Sequence, residues 1–252
     1  VKKTKTQLST DETVLRTLTA FHTLPQKIVE YRELQKLKST YVESLIALTD
    51  EKTHRVHTSF NQTVTATGRL SSSNPNLQNI PIRTETGKKI RRGFIPERNF
   101  KFLSADYSQI DLRVLASVSE DEALLDAFIK GKDIHNTTAT EIFKIEPEEV
   151  NENYRRIAKT INFGIIYGMS AFGLAQQLSI SQDEAQKYID EYFERYPKVK
   201  LWINNTLEFA HQNMFVTTLL GRIRYIPEIN STNMQVRNFA ERIAINTPIQ
   251  GT

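Results

Sequence analysis

Arg155, Lys159, Phe163 and Tyr167 recur every four residues in the stretch Arg155-Arg156-Ile157-Ala158-Lys159-Thr160-Ile161-Asn162-Phe163-Gly164-Ile165-Ile166-Tyr167-Gly168. Two cations and two aromatic rings can together hold a ligand that carries both phosphates and a flat base. On an α-helix each step of four advances only about 40°, so these four share one stripe. Ile157, Ile161 and Ile165 lie opposite and can pack inward. The plain alternative is an amphipathic helix with two surface cations and two half-buried rings. A second chemical group stands at Asp106, where the apolar run Lys101-Phe102-Leu103-Ser104-Ala105 leads into Asp106-Tyr107-Ser108-Gln109-Ile110 and then a helical pattern. That order predicts a strand, a tight turn and a helix. A carboxylate at a strand's end is well placed to bind a hard divalent cation such as Mg²⁺, although most such aspartates form turns or cap helices.

The elements needed to hold these groups are mostly helical, with a small sheet. Ser9-Thr10-Asp11-Glu12 has the form of a capping box before a short helix, and a long helix is expected from Pro25 to about Leu48 with apolar residues at Ile28, Tyr31, Leu34 and Leu37. Val56–Phe60 and Val64–Thr67 are rich in β-branched residues and predict strands, and Ser71–Asn76 predicts a polar loop. Helices follow over 111–118 and 120–129, then the stripe helix. Ser181-Gln182-Asp183-Glu184 opens a helix that should stop near Pro197, and another spans about 198–213. Residues 216–220 and 223–226 around Gly221-Arg222 suggest a hairpin, and 234–246 a last helix interrupted by Pro248.

A chain of 252 residues can form one large domain or two smaller ones. Its formal charge of +4 suits a polyanionic partner. The charge is concentrated: Arg83, Lys88, Lys89, Arg91, Arg92, Arg98 and Lys101 face only Glu85 and Glu97, a strongly positive surface just before Asp106 or else a solvated loop. There is no cysteine, which excludes disulfides and thiolate metal sites. No apolar run reaches the roughly 18 residues of a membrane span, and Val1–Thr6 lacks the apolar core of a signal peptide. The expectation is a soluble, cytoplasmic protein with no membrane partner.

Taken together, the motifs resemble the bacterial DNA polymerase I family, also called family A. Asp106-Tyr107-Ser108-Gln109-Ile110 matches its first catalytic motif and Arg155 through Gly168 its fingers helix. Further matches are Thr65-Ala66-Thr67-Gly68-Arg69-Leu70-Ser71-Ser72, Asn76-Leu77-Gln78-Asn79-Ile80-Pro81-Ile82-Arg83, Asp133-Ile134-His135, and Glu241-Arg242 through Pro248-Ile249-Gln250-Gly251, all in the family's order. The resemblance implies an α+β fold with right-hand polymerase architecture. It divides the chain into the end of a thumb (1–56), the first part of a palm (57–120), fingers (121–230) and the start of a returning palm segment (231–252).

The same resemblance implies template-directed addition of deoxynucleoside triphosphates to the 3′ end of primer-template DNA, using two Mg²⁺ ions. Asp106 and the backbone carbonyl of Tyr107 would bind the metals. Arg155 and Lys159 would neutralise the triphosphate, and Lys159 could also protonate the leaving pyrophosphate. His135 would contact the phosphates, its alternative being a cap or core histidine. Phe163 and Tyr167 would lie against sugar and base, with Gln109, Asp111 and Arg83 also at the nucleotide. Arg69, Asn76, Gln78, Asn79, Arg242, Asn246 and Gln250 would contact the duplex, although Pro248 puts the register of Gln250 in doubt. Gly164 and Gly168 suggest close approach by another group, or for Gly168 a helix end.

Asp111 departs from the family, which usually carries glutamate there to block a ribose 2′ hydroxyl and bond the fingers tyrosine. The expectations are weaker exclusion of ribonucleotides, or a small shift of the helix that restores contact with Tyr167. No His-Asp-Glu triplet occurs, although the family's last catalytic motif is such a turn and supplies the second metal carboxylate. The chain is therefore expected to be a piece of a polymerase that needs the missing C-terminal segment and lacks the family's exonuclease domains. The other readings are a noncatalytic DNA-binding fragment, a nucleotidyltransferase like single-subunit RNA polymerases, and a metal-dependent nuclease. The last would need more carboxylates around Asp106.

Overall fold

The computed structural model describes residues 8–82 and 84–252. The chain forms two compact units, divided between Ser104 and Ala105.

In the first unit α1 (Glu12–Leu18) is capped by Asp11, whose Oδ1 accepts from the Val14 amide at 2.9 Å. The capping box expected from Ser9 is thus displaced, because the Ser9 hydroxyl donates to Asp11 Oδ2 and fixes the cap instead. The long helix is α2 (Thr23–Leu37), which runs through a π-helical turn (Lys38–Glu43) into α3 (Ser44–Ala47). Leu37 and Tyr41 are buried, whereas Tyr31 and Leu34 are exposed.

The predicted strands shift. β1 (Ser59–Asn61) pairs antiparallel with β2 (Ser71–Ser73), Phe60 opposite Ser72. Residues 64–67 form a turn and the expected polar loop supplies the second strand. Hydroxyl bonds override β-propensity here. Thr58 Oγ1 lies 2.6 Å from the buried Ser72 Oγ and donates to the Pro75 carbonyl at 2.7 Å. Part of the cationic cluster folds as α4 (Glu85–Arg91), with Lys88, Lys89 and Arg91 in its last turn, where cations favour the helix dipole.

The expected strand at 101–106 does not form. Among the described residues no segment pairs with it, Phe102 and Leu103 are exposed, and a lone extended segment gains no ladder hydrogen bonds.

The second unit is helical: α5 (Ile110–Ser119), α6 (Glu122–Ile129), α7 (Ile134–Phe143), α8 (Glu152–Ile166), α9 (Ala171–Leu178), α10 (Gln182–Arg195) and α11 (Pro197–Asn213). The hairpin of β3 (Phe215–Thr217) and β4 (Ile223–Tyr225) follows, then α12 (Met234–Gln250). Its main core gathers Leu112, Leu115, Leu124, Ile134, Ile161, Ile165, Leu174 and Tyr192, so α8 does bury the isoleucine face opposite its stripe.

One carboxylate joins two helices at the edge of this core. Asp121, 1% exposed, accepts from the Leu124 amide at the start of α6 and from the Lys198 amide at the start of α11, each at 3.2 Å. Pro197 occupies the first turn of α11 and has no amide hydrogen, so Lys198 offers the next donor.

Contrary to expectation, α12 runs through Pro248. The proline forfeits one backbone bond, yet Pro248, Thr247 and Ile249 are buried and the following turn closes through the Gly251 amide to the Thr247 carbonyl at 2.9 Å. Arg242, Asn246 and Gln250 therefore keep their four-residue step on one continuous helix.

Candidate active site

The stripe on α8 is a row at the protein surface. Arg155, Lys159 and Tyr167 are exposed and Phe163 is half-buried. The Phe163 and Tyr167 rings stack, with centroids 6.5 Å apart and planes 15° from parallel, and His135 flanks Phe163 at 5.9 Å. The Tyr167 hydroxyl donates to Asp111 Oδ2 at 3.3 Å, linking α8 to the first turn of α5.

His135 is buried, 3% exposed, in the first turn of α7. The buried Asn162 amide donates to its Nδ1 at 3.1 Å, so the neutral ring carries its proton on Nε2. Burial above all, then the charges of Arg155 and Lys159, push its pKa down to about 4, against the opposing pull of Asp133. The unfolded chain takes up this proton near pH 6.5 and the folded one only near 4. Stability from the neutral ring is complete above about pH 6.5 and is lost as pH falls towards 4, by on the order of 3 kcal/mol. Urea midpoints at pH 7.5 and 4.5 should accordingly drop further for the parent chain than for His135→Gln; equal drops would rule out this linkage.

Asp133, which the sequence offers only as part of Asp133-Ile134-His135, caps α7, in keeping with an aspartate placed just before a helix. Its Oδ1 accepts from the His135 and Asn136 amides at 2.9 and 3.2 Å, and its Oδ2 from Arg155 Nη2 and Nε at 2.8 and 3.3 Å. Burial raises its pKa, but the Arg155 bond and the two amides outweigh that and hold it below the ordinary value.

The turn before α5 carries Asp106, exposed, and Tyr107, 81% exposed. Gln109 caps α5 in the left-handed region with φ of 55°, a conformation that costs a non-glycine residue on the order of 1 kcal/mol. Arg113 secures this turn: its Nε donates to the Ser108 carbonyl at 3.0 Å while its guanidinium lies 4.7 Å from the Phe128 ring centroid. Asp106 and the Tyr107 carbonyl are hard oxygen donors suited to a divalent cation. Among the described residues no three histidine, aspartate or glutamate side chains lie close enough to hold an ion.

Both glycines have local explanations. The end of α8 is a Schellman turn, in which the Met169 amide donates to the Gly164 carbonyl at 2.8 Å and the Gly168 amide to that of Ile165 at 3.0 Å. Gly168 has φ of +62°, and a Cβ there would lie 3.1 Å from Arg242 Cγ and 3.3 Å from Ile245 Cδ1 on α12. A Cβ on Gly164 would meet Met169 Sδ at 3.4 Å.

The expected duplex contacts are split between the units. Arg242 is exposed and lies over the Phe239 ring at 5.7 Å, with Asn246 and Gln250 half-buried along the same helix. Arg69, Asn76, Gln78 and Asn79 are exposed residues of the first unit. The Asn76 side chain accepts from the Gln78 amide, the Gln78 amide group donates to the Leu70 carbonyl at 3.0 Å, and the Asn79 carbonyl accepts from the Tyr41 hydroxyl. Arg83 and the N-terminal residues 1–7 lie outside the described residues.

Comparison with known proteins decides the family, because a model of DNA polymerase family A matches residues 1–252. The chain belongs to DNA polymerase family A. It is 53% identical over 253 residues to DNA polymerase I of Geobacillus stearothermophilus, covering all of this chain and 29% of that protein. It is 53% identical over 244 residues to the thermostable DNA polymerase I of Thermus thermophilus, covering 97% and 29%. The POL domain of Pol1 from M. smegmatis, solved in complex with DNA primer-template and dNTP, matches with a TM-score of 0.88 at 43% identity, covering 100% of this chain and 44% of that one. This family A chain is thus α+β with a polymerase-domain fold, and it spans under a third of the length of those curated relatives. No helix among its described residues is long and apolar enough to cross a membrane.

Proposed function

We propose that this chain is the nucleotide-handling part of a polymerase that extends a primer 3′ end on template DNA with deoxynucleoside triphosphates. The observation that carries the proposal is the row of exposed Arg155, Lys159 and Tyr167 with half-buried Phe163 on a helix whose opposite face is buried in the core. In this reading residues 1–56 end the thumb, 57–120 begin the palm, 121–230 form the fingers and 231–252 start the returning palm segment.

Arg155 and Lys159 bind the triphosphate, and Lys159 also stands ready to give a proton to the departing pyrophosphate. Phe163 and Tyr167 present ring faces to sugar and base, the stacked pair forming one apolar wall. His135 supports that wall and offers its Nε2 proton to a phosphate oxygen. Gln109 and Asp111 border the sugar, with Arg83 near the nucleotide. Arg69, Asn76, Gln78, Asn79, Arg242, Asn246 and Gln250 hold the duplex through phosphates and the minor-groove edge. Asp106 and the Tyr107 carbonyl would hold Mg²⁺, which when bound activates the 3′ hydroxyl and neutralises phosphate charge. The family's His-Asp-Glu turn, a triplet that does not occur in this sequence, would supply a second carboxylate.

The test is primer extension with Mg²⁺, comparing this chain alone with the chain plus a segment carrying that turn. Extension only with the added segment supports the proposal. Duplex binding with no extension in either case would leave a noncatalytic DNA-binding module.

Aspartate at 111 already reaches Tyr167 at 3.3 Å, in line with a helix shift that compensates for the missing methylene. In the reconstituted enzyme Asp111→Glu is accordingly expected to change deoxyribose-over-ribose discrimination by less than about threefold, within the roughly 1 kcal/mol of one weak hydrogen bond. A gain of tenfold or more would mean that aspartate leaves the 2′ side open.

A further inference from the structure

We propose that Asp133 is a displaceable counter-anion for Arg155, a latch that polyphosphate must open. The inference rests on the reading of the α8 stripe as a polyphosphate site and adds a residue to which that reading gives no role.

The carboxylate divides its two oxygens between separate tasks. Oδ1 caps α7 through two backbone amides, and Oδ2 takes two donors from the Arg155 guanidinium. The cap is unaffected when the guanidinium leaves, so opening the latch leaves α7 folded. The pair sits at the water's edge, with side-chain exposures of 44% for Arg155 and 35% for Asp133, where an ion pair is cheap to break. Two oxygens of a phosphate group can accept the paired N–H donors of the guanidinium and carry more charge than the one carboxylate oxygen that holds them here, so phosphate can take over the guanidinium.

Lys159 gives the exchange its selectivity. It stands one helical turn beyond Arg155 on the same face, and the charges of Asp133, Arg155 and Lys159 all act on the His135 ring. A single phosphate must compete with Asp133 for Arg155 alone. A chain of phosphates also gains Lys159, and that second contact offsets the loss of the internal pair. Asp133 thereby lowers affinity for every anion but most for those too short to span both cations. It is a positioning residue, acting on the ligand through Arg155.

Asparagine separates the two tasks, because it caps a helix as well as aspartate does while its amide cannot pair with a guanidinium. Inorganic tripolyphosphate, titrated calorimetrically into the full chain at low salt without divalent cations, should bind Asp133→Asn about three- to tenfold more tightly than the parent. Arg155→Ala should weaken binding, and in that background the Asp133→Asn gain should vanish. Asp133→Ala, which loses the cap as well, should melt lower than Asp133→Asn, a check that the asparagine variant isolates the ion pair. Equal or weaker binding by Asp133→Asn, with Arg155→Ala still weakening the parent, overturns the latch and leaves the stripe reading standing. A gain that persists without Arg155 is a general charge effect and also overturns it. No binding by the parent or by Asp133→Asn defeats the stripe reading, and the latch with it.

Discussion

Primer extension by the chain joined with a His-Asp-Glu segment is expected to fall by about 10³-fold or more when Asp106 becomes alanine, a loss of roughly 4 kcal/mol of transition-state stabilisation. The magnitude follows from charge. In the proposed function Asp106 would be one of the few carboxylates holding the Mg²⁺ ions, so deleting it would remove a large share of the negative charge that offsets them. Stability should hardly change, because Asp106 is exposed and supports no core contact. The turn that presents it is held independently by the Arg113 bond to Ser108. Asp106→Asn, which keeps the shape and removes the charge, should be nearly as inactive. Single-turnover rates measured beside urea midpoints separate the two effects. Extension within tenfold of the parent rate would remove Asp106 from the metal site.

The largest effect on stability is expected at Asp121. Asp121→Ala strips the cap from α6 and α11 at once and strands two amides at the edge of the core. At roughly 1–2 kcal/mol for each cap the loss sums to about 3 kcal/mol. With a urea dependence of about 1–3 kcal/mol per molar, the midpoint should fall by at least about 1 M. Glu122 is the comparison. It pairs with the Lys198 ammonium in water, and Glu122→Gln should lower the midpoint far less than Asp121→Ala. Equal losses in the two variants would mean that the buried carboxylate does not clamp the helices.

The contrast between these neighbours shows what a sequence discloses. Period-four spacing made α8 legible almost residue by residue, and the Ser181 box and Pro197 bracketed α10. The helix α7 was hidden because Thr137, Thr138 and Thr140 are poor helix formers; its buried face, Ile134, His135, Thr138, Ala139 and Ile142, becomes helical by packing, with Thr138 bonded to Asn162 of α8. The pairing of β1 with a run of serines depends on hydroxyl bonds from Thr58, which no propensity scale contains. Asp121 and Asp133 look alike in sequence, each an aspartate before a helix. Only the fold assigns one to a second helix and the other to Arg155, since both partners are distant in the chain.

The bare backbone of Gly168 against Arg242 and Ile245 has a mechanical consequence. With no side chain between them, the tip of α8 meets the flank of α12 backbone to side chain, and Arg155 stands at the far end of the helix, roughly 20 Å away at 1.5 Å per residue. Over that length a tilt of about 5° about the glycine would displace the guanidinium by nearly 2 Å, comparable with its 2.8 Å bond to Asp133.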